Sequence, residues 1–134
     1  MTADSEPATY ILRIQTDDLE KQLYGRRILY VSIKRDWIKS TKVLFVRKTA
    51  FIGSGIIDKF TSVDKLGEHE KKLCLENNCY GKIEFAKLMR FYPTVAVENT
   101  PVRAQNPLRL HGASLARSHV LEIERLPRAR LIIS

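Results

Sequence analysis

Within seven positions the chain sets Arg26, Arg27, Tyr30 and Ser32, which are two planar cations, a stacking ring and a hydroxyl. A guanidinium forks onto two phosphate oxygens at once, and an aromatic ring stacked on a nucleobase contributes about 1–3 kcal/mol with little sequence preference. Lys34, Arg35 and Lys39 prolong the cationic stretch around Trp37, the single tryptophan. A tryptophan in a basic loop either stacks a base or plugs the end of a barrel. Arg90-Phe91-Tyr92 repeats the mixture of cation and ring. Gly53 and Gly55, two apart, share one face of a strand, where glycine serves either sharp curvature or the close approach of a ligand or backbone. On a regular strand Tyr30, Ser32 and Lys34 point the same way, so Arg27 joins them only through a bend at the strand entry.

Groups for catalysis are scarcer. His111, Ser114 and His119 lie close in sequence, but no carboxylate stands at a spacing that would complete a triad. Glu84 and Glu98 are isolated and form no acid/base pair. His69 falls on the polar side of a helix and faces water. Cys74 and Cys79 have no histidine at ligand spacing, so neither a zinc site nor a disulfide framework is indicated, and they read as free thiols of a reducing compartment. No catalytic residue, metal or cofactor is expected.

Charge sharpens the binding reading. The 134 residues hold 23 Lys and Arg against 15 Asp and Glu, a net charge of +8. Residues 1–25 carry −3, 26–50 carry +7, 51–100 are neutral, and 101–134 carry +4. Cations concentrated in two segments suit a phosphate-binding surface, because neutralising phosphates releases condensed counterions; a generally basic, solvated surface is the plainer alternative. The last segment has six arginines (Arg103, Arg109, Arg117, Arg125, Arg128, Arg130) and no lysine, a bias that fits a nucleic-acid face or a protein interface. RNA or a nucleotide is therefore the expected partner, with a homodimer or ribonucleoprotein partner as the alternative. No apolar run approaches the ~20 residues of a membrane-spanning helix, and the first residues are acidic and polar, so no membrane role is expected and the cytoplasm is the expected location.

The elements that position these groups follow from periodicity. Residues 1–8 read as a flexible tail and 9–134 as one domain. Tyr10, Leu12 and Ile14 alternate with Ile11, Arg13 and Gln15, a strand pattern. Thr16 caps a short helix that Gly25 ends. Strands follow at 28–34, 42–48 and 50–60, a helix at 64–78, and strands at 80–91 and 94–98 on either side of Pro93. Residues 111–112 form a turn, and 113–134 fit either two short strands or a helix stopped by Pro127. Short connections between most strands favour antiparallel pairing. The fold expected is α+β, a mainly antiparallel β pseudo-barrel of six or seven strands with two inserted helices.

That order, carried by Leu23-Tyr24-Gly25-Arg26-Arg27-Ile28-Leu29-Tyr30, Lys42-Val43-Leu44-Phe45, Phe51-Ile52-Gly53-Ser54-Gly55-Ile56-Ile57 and Tyr80-Gly81-Lys82-Ile83-Glu84-Phe85, resembles the PUA-like superfamily, which includes PUA, ASCH and EVE domains. These segments cover about half of the chain. The resemblance implies a cleft that holds RNA or a modified nucleoside. ASCH domains carry Gly, any, Lys, any, any, Glu, any, Arg near the first helix, and some hydrolyse acylated nucleosides as amidohydrolases. Laid on this chain the pattern keeps Gly25, with Arg27 in the lysine place, Tyr30 in the glutamate place and Ser32 in the arginine place. A guanidinium that never deprotonates and a phenol titrating near about 10 do not replace lysine and carboxylate chemistry at neutral pH. The same residues remain suited to binding, so an RNA- or modified-nucleotide-binding domain is expected ahead of an ASCH-type amidohydrolase or a protein-interaction module.

Overall fold

β1 (Thr9–Arg13) and β3 (Lys42–Arg47) lie side by side and parallel at the heart of the sheet. Leu12 and Ile11, on opposite faces of β1, are both fully buried, as are Val43 through Val46 in β3. A strand covered on both faces loses its polar alternation, and here each face has its own core. One gathers Leu12, Leu23, Trp37, Phe45, Phe85 and Leu88 under α1 (Asp17–Arg26). The other gathers Ile11, Leu44, Phe51, Phe91 and Leu110 with Ile123 of α3 (Arg117–Arg125).

This computed structural model describes residues 8–103, 105 and 109–133, so the expected tail, apart from Ala8, lies outside the described residues. Among them, seven strands form one sheet in the order β2 (Ile28–Val31), β5 (Gly81–Ala96), β4 (Ala50–Ser62), β3, β1, β6 (Ser114–Leu115). β7 (Ala129–Ile133) also pairs with β5. Every pairing except β1 with β3 is antiparallel, and that one crossover is made by α1 and β2 together. The α+β pseudo-barrel read from the sequence is the observed architecture, with three helices in place of two: α1, α2 (Glu68–Glu76) and α3.

Several boundaries differ from the sequence expectation, each for a local reason. β2 ends at Val31 because its partner β5 begins opposite it at Gly81, and Ser32 and Lys34 therefore stand beyond the ladder. β5 runs through Pro93 as one strand. Its last β7 partner is at Tyr92 and its β4 ladder resumes only at Val95, so no N–H is needed at residue 93. Thr16 caps α1 as expected, accepting the Leu19 N–H at 3.1 Å. The helix passes Gly25, however, and stops at Arg27, which takes the left-handed conformation (φ 60°) and returns its N–H to the Leu23 carbonyl. Residues 63–65 form a separate 3-10 turn, and α2, capped by Gly67, begins at Glu68, four residues later than expected.

Arg27 accounts for more than a helix end. β2 and β7 share one edge of β5, pairing with residues 81–84 and 88–92 respectively, and leave a gap between them. The Arg27 carbonyl accepts the Phe85 N–H there, and its guanidinium donates to the carbonyls of Ala86 at 3.3 Å and Ile133 at 2.8 Å. One side chain thus fastens the end of β7 to the sheet. Hydrogen bonds from a charged donor contribute about 1.5–3 kcal/mol each when buried and less when part-exposed. Arg27→Gln is expected to cost about 1–2 kcal/mol in urea unfolding and to speed hydrogen exchange of the β7 amides above that of β3. Unchanged β7 protection would refute this fastening role.

Candidate nucleic-acid interface

The two flanks of the sheet face each other across a cleft of about 350 Å3. Leu29, Tyr30, Val31 and Ser32 line it from β2 and its exit; Arg13, Gln15 and His111 line it from the β1 and β6 side. Leu19 and Gln22 of α1, Leu73 and Cys74 of α2, and Asn77 and Cys79 just after it complete the wall. The cleft is therefore the open seam of the pseudo-barrel, where β2 and β1 approach without pairing. Its volume lies at the lower end of the range of small-ligand pockets.

Chemistry in the seam is dominated by donors. The Nε–H of Arg13 is buried and meets no acceptor among the described residues. The Arg13 backbone N–H donates to Nδ1 of His111 at 3.0 Å, so Nδ1 is an acceptor and Nε2 carries the imidazole proton. Burial, with the guanidiniums of Arg13 and Arg35 beside it, holds the His111 pKa below the ordinary histidine range. The ring is neutral at pH 7, and its free nitrogen is a donor. Arg35 is fixed by donating Nε–H to the Gly112 carbonyl at 2.8 Å and Nη1–H to that of Lys34 at 2.6 Å. Gly112, at φ 80°, makes the turn expected at 111–112.

On the opposite wall Tyr30 donates its hydroxyl to Glu70 Oε2 at 2.6 Å, and Lys82 reaches the same oxygen at 2.8 Å. These bonds hold the Glu70 carboxyl below its usual range, while burial and the Glu70 contact push the Tyr30 phenol up to about 12. Burial pushes the Cys74 thiol up to about 11 and also raises Cys79. Thiols held protonated are poor nucleophiles, and no carboxylate or lysine lines the cleft.

The ten residues singled out from the sequence separate in space. Tyr30 and Ser32 line the cleft. Arg26 shares the helical stripe of Leu19 and Gln22 and is exposed at the rim. Arg35 lies beside His111, and Lys34 precedes it on the exposed exit from β2. Lys39 is exposed beyond them and has no contact with the cleft wall. The other four have different work. Arg27 is committed to main-chain carbonyls. Trp37 is 5% exposed, packs its ring 5.2 Å from that of Tyr10, and donates Nε1–H to the Ile33 carbonyl. It is the plug of the barrel and offers no face to a base. Gly53 is buried against the Met89 carbonyl and the Tyr24 hydroxyl. Arg90 stacks over the Tyr24 ring at 3.9 Å and bonds Glu20, on a different face of α1 from the cleft.

Arg13, Gln15, Gln22 and His111 were not legible as site residues. Arg13 and Gln15 did continue the Ile11 face of β1 in the sequence alternation, but their meeting with His111 depends on a contact 98 residues long. Of the C-terminal arginines, Arg117, Arg125 and Arg130 sit on α3 and β7, and none of the six lines the cleft. Among the described residues no cluster of potential metal ligands occurs, and no helix is long and apolar enough to cross a membrane.

No family model matches the sequence, and no curated protein matches it significantly. Two solved structures do match in shape. The crystal structure of ASCH from Zymomonas mobilis superposes with a TM-score of 0.68 at 9% identity, covering 89% of this chain and 95% of that one. A serine-to-alanine mutant of the same protein gives 0.65 at 9% identity, covering 89% and 96%. Near-complete mutual coverage at so low an identity is agreement in the path of the chain rather than in its side chains. The strand order, the seam and this overlap together give the chain a pseudo-barrel fold like that of the Zymomonas mobilis ASCH structure.

Proposed function

We propose that the chain binds RNA, or a single modified nucleotide, in the seam between β1 and β2. The observation that carries this reading is the cleft lining: buried and part-buried donors from Arg13 and His111, amides from Gln15, Gln22 and Asn77, an apolar floor, and no carboxylate. Amides and a hydroxyl read the edge of a base, and Leu29 and Leu73 cover its faces. Tyr30 supplies the aromatic wall. Arg26, Lys34 and Arg35 are exposed beside the cleft and offer a cationic approach for the phosphates on either side, which the exposed Lys39 prolongs away from the wall. Binding, not hydrolysis, is the role that these groups support, since protonated thiols and a neutral histidine without a carboxylate partner provide no activated nucleophile.

Fluorescence anisotropy of labelled structured RNA across a salt series tests this directly. With about four phosphates contacted, affinity is expected to fall roughly 50- to 150-fold between about 50 and about 200 mM monovalent salt. Arg26→Gln and Arg35→Gln should each flatten the logarithmic slope by about 0.7–0.9. No binding at low salt, or binding indifferent to salt, would remove the proposal.

A further inference from the structure

Within the seam, the side formed by Arg13 and His111 has a chemistry of its own. The Arg13 Nε–H is shut away from water and points to no acceptor, although buried donors are satisfied almost without exception in folded proteins. His111 is locked into the tautomer with its proton on Nε2, because Nδ1 is occupied by the Arg13 N–H at 3.0 Å. Arg35 adds a second guanidinium beside the imidazole, held through Gly112. No acidic side chain lines the cleft to neutralise these charges.

We infer that this corner is an anion subsite that receives the phosphate of a nucleotide, with the cleft-lining guanidinium of Arg13 and His111 Nε2–H as its donors. The inference rests on the proposed nucleotide reading and deepens it. A tetrahedral oxyanion has an acceptor for each donor, and it brings the negative charge that the corner lacks. The nucleoside portion then extends along the apolar wall toward Tyr30. The phosphate thus sits inside the seam, in addition to any contacts made by the exposed lysines and arginines at the rim.

Calorimetric titration of the full chain with adenosine and cytidine, their 5′-monophosphates, and inorganic phosphate tests the subsite. The monophosphates are expected to bind about tenfold or more tightly than their nucleosides, the factor one good charge-assisted bond supplies. Arg13→Gln should abolish that preference, so that monophosphate and nucleoside bind the variant with equal affinity. Because Arg13 ends a core strand, His111→Gln serves as the second variant, and it should reduce the preference severalfold with the fold checked by circular dichroism. Equal affinity of nucleoside and monophosphate would overturn the subsite yet leave nucleotide binding standing. A phosphate preference that survives both variants would likewise overturn it. Inorganic phosphate binding as tightly as the monophosphates, and lost in Arg13→Gln, would uphold the subsite and defeat the nucleotide reading. Failure of every phosphate probe would end the inference.

Discussion

Trp37→Ala will cost the fold about 3–5 kcal/mol, which lowers the melting temperature of a domain of this size by roughly 10–20 °C. The ring is 5% exposed, meets Tyr10 edge-on with 66° between the planes, and belongs to the core that also holds Phe45, Phe85 and Leu88. Removing it leaves a cavity that a sheet pinned on both faces cannot close, and it orphans the Ile33 carbonyl that accepts the indole N–H at 3.1 Å. Trp37→Phe keeps most of the packing and loses the hydrogen bond, so its cost is expected near 1–2 kcal/mol. The RNA affinity of the folded fraction should be the same in both variants. Native stability with lost RNA binding would show instead that the ring is a stacking platform.

The second large effect is at Gly53. A methyl group there would lie well inside contact distance of the Met89 carbonyl oxygen and the Tyr24 hydroxyl, and the Met89 backbone is held in the β4–β5 ladder. Neither neighbour moves freely, since Tyr24 is itself clamped between the core and the Arg90 guanidinium. Gly53→Ala is therefore expected to lose about 3 kcal/mol, the upper range for overpacking, read as a lowered urea midpoint. Gly25→Ala provides the contrast, because an added methyl there meets nothing within 4 Å on the exposed last turn of α1. It should gain about 0.5–1 kcal/mol through helix propensity. Equal stability of the two variants would show that the close approach at Gly53 is relaxed in solution. The glycine that the ASCH pattern retains is thus replaceable in this fold, while the glycine outside that pattern is required by packing.

The cationic stretch shows where sequence reasoning separates from structure. Residues 26–39 carry the chemistry of phosphate recognition, yet identical guanidiniums were assigned by the fold to different tasks. Arg27 became a main-chain clamp because β2 and β7 leave a gap on β5. Arg35 became a neighbour of His111 because the Gly112 turn brings that carbonyl to it. Residue type fixes what a side chain can bond, but its partner depends on chain segments far away in sequence.

The sequence by itself determined the first strand, the strands at 42–47 and 50–62, and the first helix. Alternation in residues 10–15, the apolar run at 42–47, the Thr16 cap and the same-face glycines at 53 and 55 are local signals, and local sterics enforce them wherever the chain goes. It also determined the excess of cations and their concentration in residues 26–50. Only the tertiary structure decided that residues 117–125 are helical, since Val120 and Ile123 fit a helix or a strand until the second core receives them. Only it decided that Trp37 is interior and that Arg13 and His111 meet at the seam. The physical reason is common to all three: burial and long-range hydrogen bonding are properties of surfaces brought together by folding, and no window of the sequence contains both surfaces.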